Sequence, residues 1–322
     1  MDNFTHSLAG WALGQAGLKT KSRKGLAALI LGANMPDIDI FFGWVGWPPL
    51  AMHRGFTHGL VGGVLLLPPF LAGLLWLLDR WQVRRGALFK SGLTMHFGWL
   101  VALAYIGTIT HPLLDLQTTY SVQLFSPFST AWYHSDSLFI VDVWLWTLIA
   151  GSIAWSRWRE KSGREWRRPV QGAIVAALAY ISFNIGLSQS AVEAVERRVP
   201  AATTIFASPP PVWFWQRAMS WREGRAIGRA EYRPFASGLL PSQPLQPDGM
   251  DAPIVREALA RTPSLRQFLR WSILPVADIE RGRCQAKVVI SDARYGEAGS
   301  RRSPLERGTL VPLAGPDCPL SK

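Results

Sequence analysis

Four short blocks of histidine, aspartate and asparagine interrupt sequence apolar enough to cross a bilayer: Asn3-Phe-Thr-His6, Asn34-Met-Pro-Asp37-Ile-Asp39, His53-Arg-Gly-Phe-Thr-His58 and His111-Pro-Leu-Leu-Asp115. Ionisable groups at membrane depth are costly, so they persist where they pair with one another or serve a function. Histidine with aspartate is also the ligand set of zinc and similar divalent cations. The first expectation is a metal site built by a membrane protein.

The long apolar runs fall almost entirely in the first 190 of 322 residues. Candidate helices run over about 4–18, 25–42, 59–78, 97–114, 138–155 and 169–188. A full span needs about 20 apolar residues, which the third, fifth and sixth supply. The first is short enough to be re-entrant. The second is broken by Asn34, Pro36, Asp37 and Asp39, a break tolerated at depth where the backbone faces protein or a wet cavity. Beyond residue 190 the chain reads as water-soluble. Residues 212–232 form a hairpin turning at Arg222-Glu223-Gly224, 254–271 an amphipathic helix, and 287–295 a strand and turn. The expected fold is an all-α polytopic membrane helical bundle over 1–190, followed by a C-terminal α+β soluble domain over 191–322.

The net charge of +12 would suggest a nucleic-acid partner in a soluble protein. No zinc finger, Walker loop or nucleic-acid module accompanies it, so nucleic acid is not expected and the bilayer is. Much of the basic charge sits in short loops. Lys19, Lys21, Arg23 and Lys24 follow the first helix; Arg80, Arg84, Arg85 and Lys90 the third; Arg157, Arg159, Lys161, Arg164, Arg167 and Arg168 the fifth. The intervening loops carry only Arg54 between 43 and 58, and no Lys or Arg between 115 and 137. By the positive-inside rule the basic loops are cytoplasmic. All four polar blocks then fall near the outer face, and the single span after the last basic loop puts the tail outside. The expectation is a multi-pass protein of the bacterial inner membrane, with site and tail facing the periplasm. The N-terminus does not read as a signal peptide. Two cysteines, Cys284 and Cys318, lie in the tail, where they either pair or stay free; neither is near the histidines.

Each block also has a plainer reading. His111 and Asp115 share a helix face at four-residue spacing, enough for a simple His–Asp hydrogen bond in a bundle. Asp37 and Asp39 suit a helix stop, although adjacent carboxylates repel unless a cation or arginine neutralises them. His53 and His58 flank Arg54, whose guanidinium suits a phosphate or carboxylate. His6 alone would be an interfacial histidine behind an Asn3 or Thr5 cap. His134, Asp136 and Asp142 form a weaker set with a structural role preferred. Trp44, Trp47, Trp132 and Trp144 fit an outer aromatic belt.

In order along the chain, the four blocks, together with Thr118-Thr119-Tyr120 and Phe139-Ile-Val-Asp142, resemble the bacterial membrane-bound metal-dependent hydrolase family described as LexA-regulated. The resemblance covers roughly residues 1–190, and the Trp-Arg-Glu-Gly hairpin is similar to an extension found in many members. A more distant likeness runs to the helical zinc-dependent phospholipase C and P1 nuclease group, in the order His6, Asp39 to His53, and His111 to Asp115. That group's later His-x-x-x-Glu/Asp pair is not reproduced, since His134 and Asp136 are two apart, which favours one or two metals over three. The resemblance implies metal-dependent hydrolysis, with a phosphoester or lipid in or near the membrane as the expected substrate. His6, Asp37, Asp39, His53, His58, His111 and Asp115 would bind a divalent cation, zinc foremost. Asp37 or Asp39 would serve as general base and Arg54 would hold the anion. The alternatives are a non-enzymatic membrane scaffold with a structural metal and a partner-binding tail, or a transporter.

Overall fold

The structure is a computed structural model that describes residues 1–236, 238–296 and 305–313. It divides into two compact units. The first comprises residues 1–186 with 210–214, and the second 187–209 with the chain from 215 onward.

The first unit is helical: α1 Asn3–Gln15, α2 Gly25–Asn34, a single turn α3 Pro48–Ala51, α4 Leu67–Arg84, α5 Phe97–Asp115, α6 Val143–Lys161 and most of α7 Arg167–Arg198. A π-helical stretch, Leu60–Leu66, leads into α4, so that 60–84 is one continuous helix. Among the described residues, three helices are long and apolar enough to cross a membrane: Leu60–Arg84, Phe97–Asp115 and Arg167–Arg198. The fifth expected span is replaced in this set by the fourth. α6 starts only after Asp142, whose carboxylate caps it by accepting from Leu145 N (2.8 Å), and it runs on into Arg157, Arg159, Glu160 and Lys161. That charge shortens its apolar stretch. Asp142 also accepts from the Tyr180 hydroxyl (3.1 Å), which gives this carboxylate a structural task. The cap of α1 is Asp2, not Asn3 or Thr5: its side chain accepts from the amides of Phe4 and Thr5.

Two apolar seams hold the bundle. Leu8 and Ala12 of α1 pack with Leu145, Ile149 and Ile153 of α6 and Val170, Ala173 and Ala177 of α7. Ala28 and Leu29 of α2 pack with Leu71, Ala72 and Leu75 of α4 and Leu100, Leu103 and Ala104 of α5. On α4 the opposite face, Phe70, Leu74 and Leu77, is exposed, as suits a helix whose neighbour is lipid. At the end marked by the basic loops, the buried Asp79 receives a bidentate Arg23 fork, Nε–Oδ1 and Nη2–Oδ2 both 2.7 Å. Lys19 similarly meets Glu160 at 2.6 Å.

Close approach of α1, α2 and α5 depends on glycine. A Cβ on Gly107 would lie 2.5 Å from the Leu29 carbonyl oxygen, and one on Gly10 only 2.6 Å from the same atom. Small residues of this kind let helices in a bilayer touch backbone to backbone.

The second unit holds an antiparallel sheet of order β1-β2-β3-β4 (Thr203–Ser208, Arg217–Glu223, Ala226–Arg233, Gly238–Pro247). A second sheet has order β5-β6-β7 (Pro275–Arg281, Gln285–Asp292, Glu306–Pro312). The β2–β3 hairpin is the one expected from sequence. The single helix expected over 254–271 is two, α8 Pro253–Arg261 and α9 Pro263–Trp271, because Pro263 cannot continue α8 and instead opens α9. Both pack on the second sheet through Val255, Ala258 and Leu265 against Val288, Ile290 and Val311. Cys318, and with it the pairing of the two cysteines, lies outside the described residues.

Candidate metal centre

The site is assembled from one end of α1, the turn after α2, the loop around Phe56–His58 and the last turn of α5. α2 stops at Asn34 because Pro36 follows, and the chain tightens into a 3₁₀ segment, Met35–Phe41, that carries Asp37 and Asp39. His53 and Arg54 follow α3, with Arg54 in a left-handed backbone conformation (φ 62°). His58 closes the 3₁₀ turn Phe56–His58. His6, Asp39, Arg54, His58, His111 and Asp115 are all buried.

Four donor atoms converge. His58 Nε2 lies 3.3 Å from Asp37 Oδ1 and 3.3 Å from Asp115 Oδ2; His111 Nε2 lies 3.3 Å from the same two oxygens; the two nitrogens are 3.0 Å apart. These are five of the six edges of the four-atom set, and all four donors lie within 4.8 Å of one another. A regular tetrahedron with edges of about 3.3 Å has its centre about 2.0 Å from each corner, the usual zinc–nitrogen and zinc–oxygen distance. Asp37, Asp39 and His53 form a second group of donors sharing Asp37 with the first.

The supporting hydrogen bonds fix which nitrogen faces the centre. His111 Nδ1 donates to the Ala33 carbonyl at 2.6 Å. His58 Nδ1 meets Thr57 Oγ1 at 3.1 Å and lies 3.2 Å from Asp39 Oδ2. With both Nδ1 protons so committed, both Nε2 lone pairs point at each other, an arrangement that a cation between them reconciles. Asp39 is itself held by His53 Nδ1 (2.8 Å), the Arg54 amide (3.0 Å) and the Thr57 hydroxyl (2.9 Å). Three buried atoms point to a charged guest: Asp115 Oδ2 and both ring nitrogens of His6 have no hydrogen-bond partner. Buried polar atoms of this kind are rare unless an ion, a water or a ligand satisfies them. The donor set therefore fits a divalent cation.

Six of the seven residues expected as metal ligands fall within the two donor groups. His6 belongs to neither among the described residues. Its ring stacks on His111, centroids 3.7 Å apart and planes 14° from parallel, with Nε2 3.4 Å from Asp115 Oδ1. Arg54 is committed within the protein. Its Nη2 lies 3.0 Å from Asp115 Oδ1, its Nη1 donates to Thr118 Oγ1 (2.8 Å), and its plane covers the Tyr120 ring. The Met1 amino group also pairs with Asp115 Oδ1. His134 pairs with Asp136 (2.9 Å), and neither falls in the donor groups. Sequence reasoning missed Thr57 and the Ala33 carbonyl. Thr57 lies inside a quoted block; the carbonyl carries no sequence signal.

Access is uneven. The Asp37 side chain is 12% exposed and that of His53 is 36% exposed, whereas the other donors of the main group are covered. The open edge of the centre is the Asp37–His53 side.

A family model described as YdjM inner membrane protein matches residues 1–191, more than half of the chain and the whole stretch that contributes the donors. The description names a location and no reaction. No match was found among curated proteins or among solved structures, so the likeness to the zinc-dependent phospholipase C group rests on residue order alone.

Proposed function

Because this chain belongs to the YdjM inner membrane protein family through residues 1–191, we propose that its helical unit is a multi-pass, metal-dependent hydrolase of the membrane, acting on a phosphoester at the periplasmic face. The observation that carries the reading is the four-donor set Asp37, His58, His111 and Asp115, with Asp39 and His53 on its open side, where His53 serves as proton carrier in place of a ligand. A divalent cation held there supplies Lewis acidity for hydrolysis.

The chain's own groups divide the remaining work. Asp39 fixes both neighbouring imidazoles, His58 toward the centre and His53 toward the open edge. Held through Nδ1, His53 keeps Nε2 to take up and release a proton, so the carboxylate acts as the base through a histidine. Arg54 offsets part of the charge of the three aspartates and fixes Asp115, which keeps the pocket hospitable to an anionic ester. Its nearest target is the carboxylate, and it serves an incoming anion through the field it sets.

One observation favours a second reading. Four protein donors in one group are enough to fill a zinc shell, which is the habit of structural zinc; catalytic zinc keeps a position open. On that reading the cation staples α2 and α5, and the protein is a scaffold whose tail meets an envelope partner. The experiment that separates them uses the full chain in lipid nanodiscs, its metal content measured, with phospholipids and prenyl phosphates as substrates. Chelator-sensitive turnover that His53→Ala abolishes without loss of metal is the hydrolase result. A fully metallated protein that turns over none of the panel and whose melting temperature collapses on chelation is the scaffold result.

A further inference from the structure

A cavity of about 390 Å³ lies between α1, α5, α6 and α7, within the usual size range of small-molecule sites. Its walls are Leu8, Ala12, Leu145, Ile149, Ala177 and Ile181, with the small side chains of α1 and α7 making the room. Thr5, Thr110 and Gln117 also line it, and each is already engaged. Thr5 Oγ1 accepts from Trp146 Nε1 (2.7 Å) and Thr110 Oγ1 donates to the Gly107 carbonyl (2.6 Å). Gln117 Nε2 donates to the Leu113 carbonyl (2.8 Å), while its Oε1 accepts from Ser135 and Ser137 (2.9 Å each). A polar guest would shed its water there and find little replacement on a lining that is almost wholly apolar.

Two lining residues, Leu113 and Leu178, are also exposed on the outside of the bundle, at 54% and 60%. They belong to α5 and α7, two of the three helices that can cross a membrane. The medium beyond that rim is therefore hydrocarbon. We propose that the cavity is a built site for one acyl chain of a bilayer phospholipid, inserted past Leu113 and Leu178 to lie against α1. The inference rests on α5 and α7 being membrane spans and is independent of any hydrolysis.

The test is photolabelling of the full chain in nanodiscs doped with a phosphatidylcholine that carries a diazirine at the end of one acyl chain. Adducts on the inward residues Leu8, Ala12 and Ile149 are expected beside those on the outward Leu74 and Leu77 of α4. The inward labelling saturates and is competed by unlabelled diacyl lipid, while the outward labelling is not. Ala9→Phe and Ala177→Phe, which fill the cavity from opposite walls, lower inward labelling at least about tenfold, the loss expected for excluding two or more methylenes. Outward labelling stays constant. Adducts confined to outward faces overturn the proposal, as does inward labelling that no lipid competes. So do two filled variants, metallated like the parent, that label as it does. A prenyl diazirine probe that labels the inward residues in place of the acyl probe overturns the acyl assignment. Since the readout is covalent labelling, loss of this proposal leaves the hydrolase reading untouched, and an inactive protein leaves this one untouched.

Discussion

Arg54 shows how far a residue's sequence context constrains its task. Between two histidines in an otherwise uncharged loop it reads as an anion holder. In the fold it is buried, forked between Asp115 and Thr118 and laid on Tyr120. Removing one partner of a buried pair leaves the other charge uncompensated, at about 3–5 kcal/mol. Arg54→Ala is therefore expected to lower the melting temperature and weaken metal binding together. Arg54→Lys should restore little, since an ammonium cannot serve both acceptors in the same plane. A melting curve and metal analysis of both variants check this, and an Arg54→Ala protein with unchanged stability would return the arginine to the substrate. The candidate donors were legible because histidine, aspartate and asparagine recur in four short blocks within apolar sequence. What was not legible is which atom of Asp39 serves which neighbour, because that depends on the 3₁₀ turn and on the Thr57 hydroxyl meeting it from another segment.

At the scale of elements, the apolar runs located the helices and the caps decided their ends. α6 begins where Asp142 can cap it, five residues later than hydrophobicity suggests. The strand β4 escaped notice because Pro241, Pro244 and Pro247 argue against a strand. It is tolerated as the edge of its sheet, where donors on one side are not needed. α7, at 32 residues, is about 48 Å long, well beyond the roughly 30 Å of hydrocarbon that a span must cross. The seam that matters most to the site is α2 against α5. Gly107→Leu forces a side chain onto the Leu29 carbonyl, and overpacking of this kind costs about 1–3 kcal/mol or more. Because α5 carries His111 and Asp115, the variant is expected to lose metal before it loses helicity. Circular dichroism paired with metal content measures that order, and full metal retention would show that the seam does not position the donors.

For the whole molecule, the distribution of lysine and arginine sets the expected orientation. An alkaline phosphatase fused after Ser190 should be active and a green fluorescent reporter there should be dark; the reverse outcome moves the centre to the cytoplasm. The tail offers a separate check through acid. Burial raises the Asp292 carboxyl, but the Arg294 charge and hydrogen bonds from Arg294 and Ser272 outweigh it and hold the group below the usual carboxylate value. A depressed carboxyl stabilises the fold above its unfolded value and loses that contribution as pH falls. Unfolding of the tail should therefore be flat from neutrality to about pH 5 and weaken below about pH 4, and Asp292→Asn should flatten the acid limb. Tryptophan fluorescence melts of the full chain across that range would show it.

The contact from His111 to the Ala33 carbonyl has a bearing on how such a centre can drift over generations. The acceptor is main chain, so no codon specifies it and no point substitution deletes it. The side chain at position 33 is fully covered, so a larger residue there would have to displace its neighbours. The orientation of the His111 imidazole is thereby insulated from side-chain substitutions at its acceptor, and depends on the spacing of two helices.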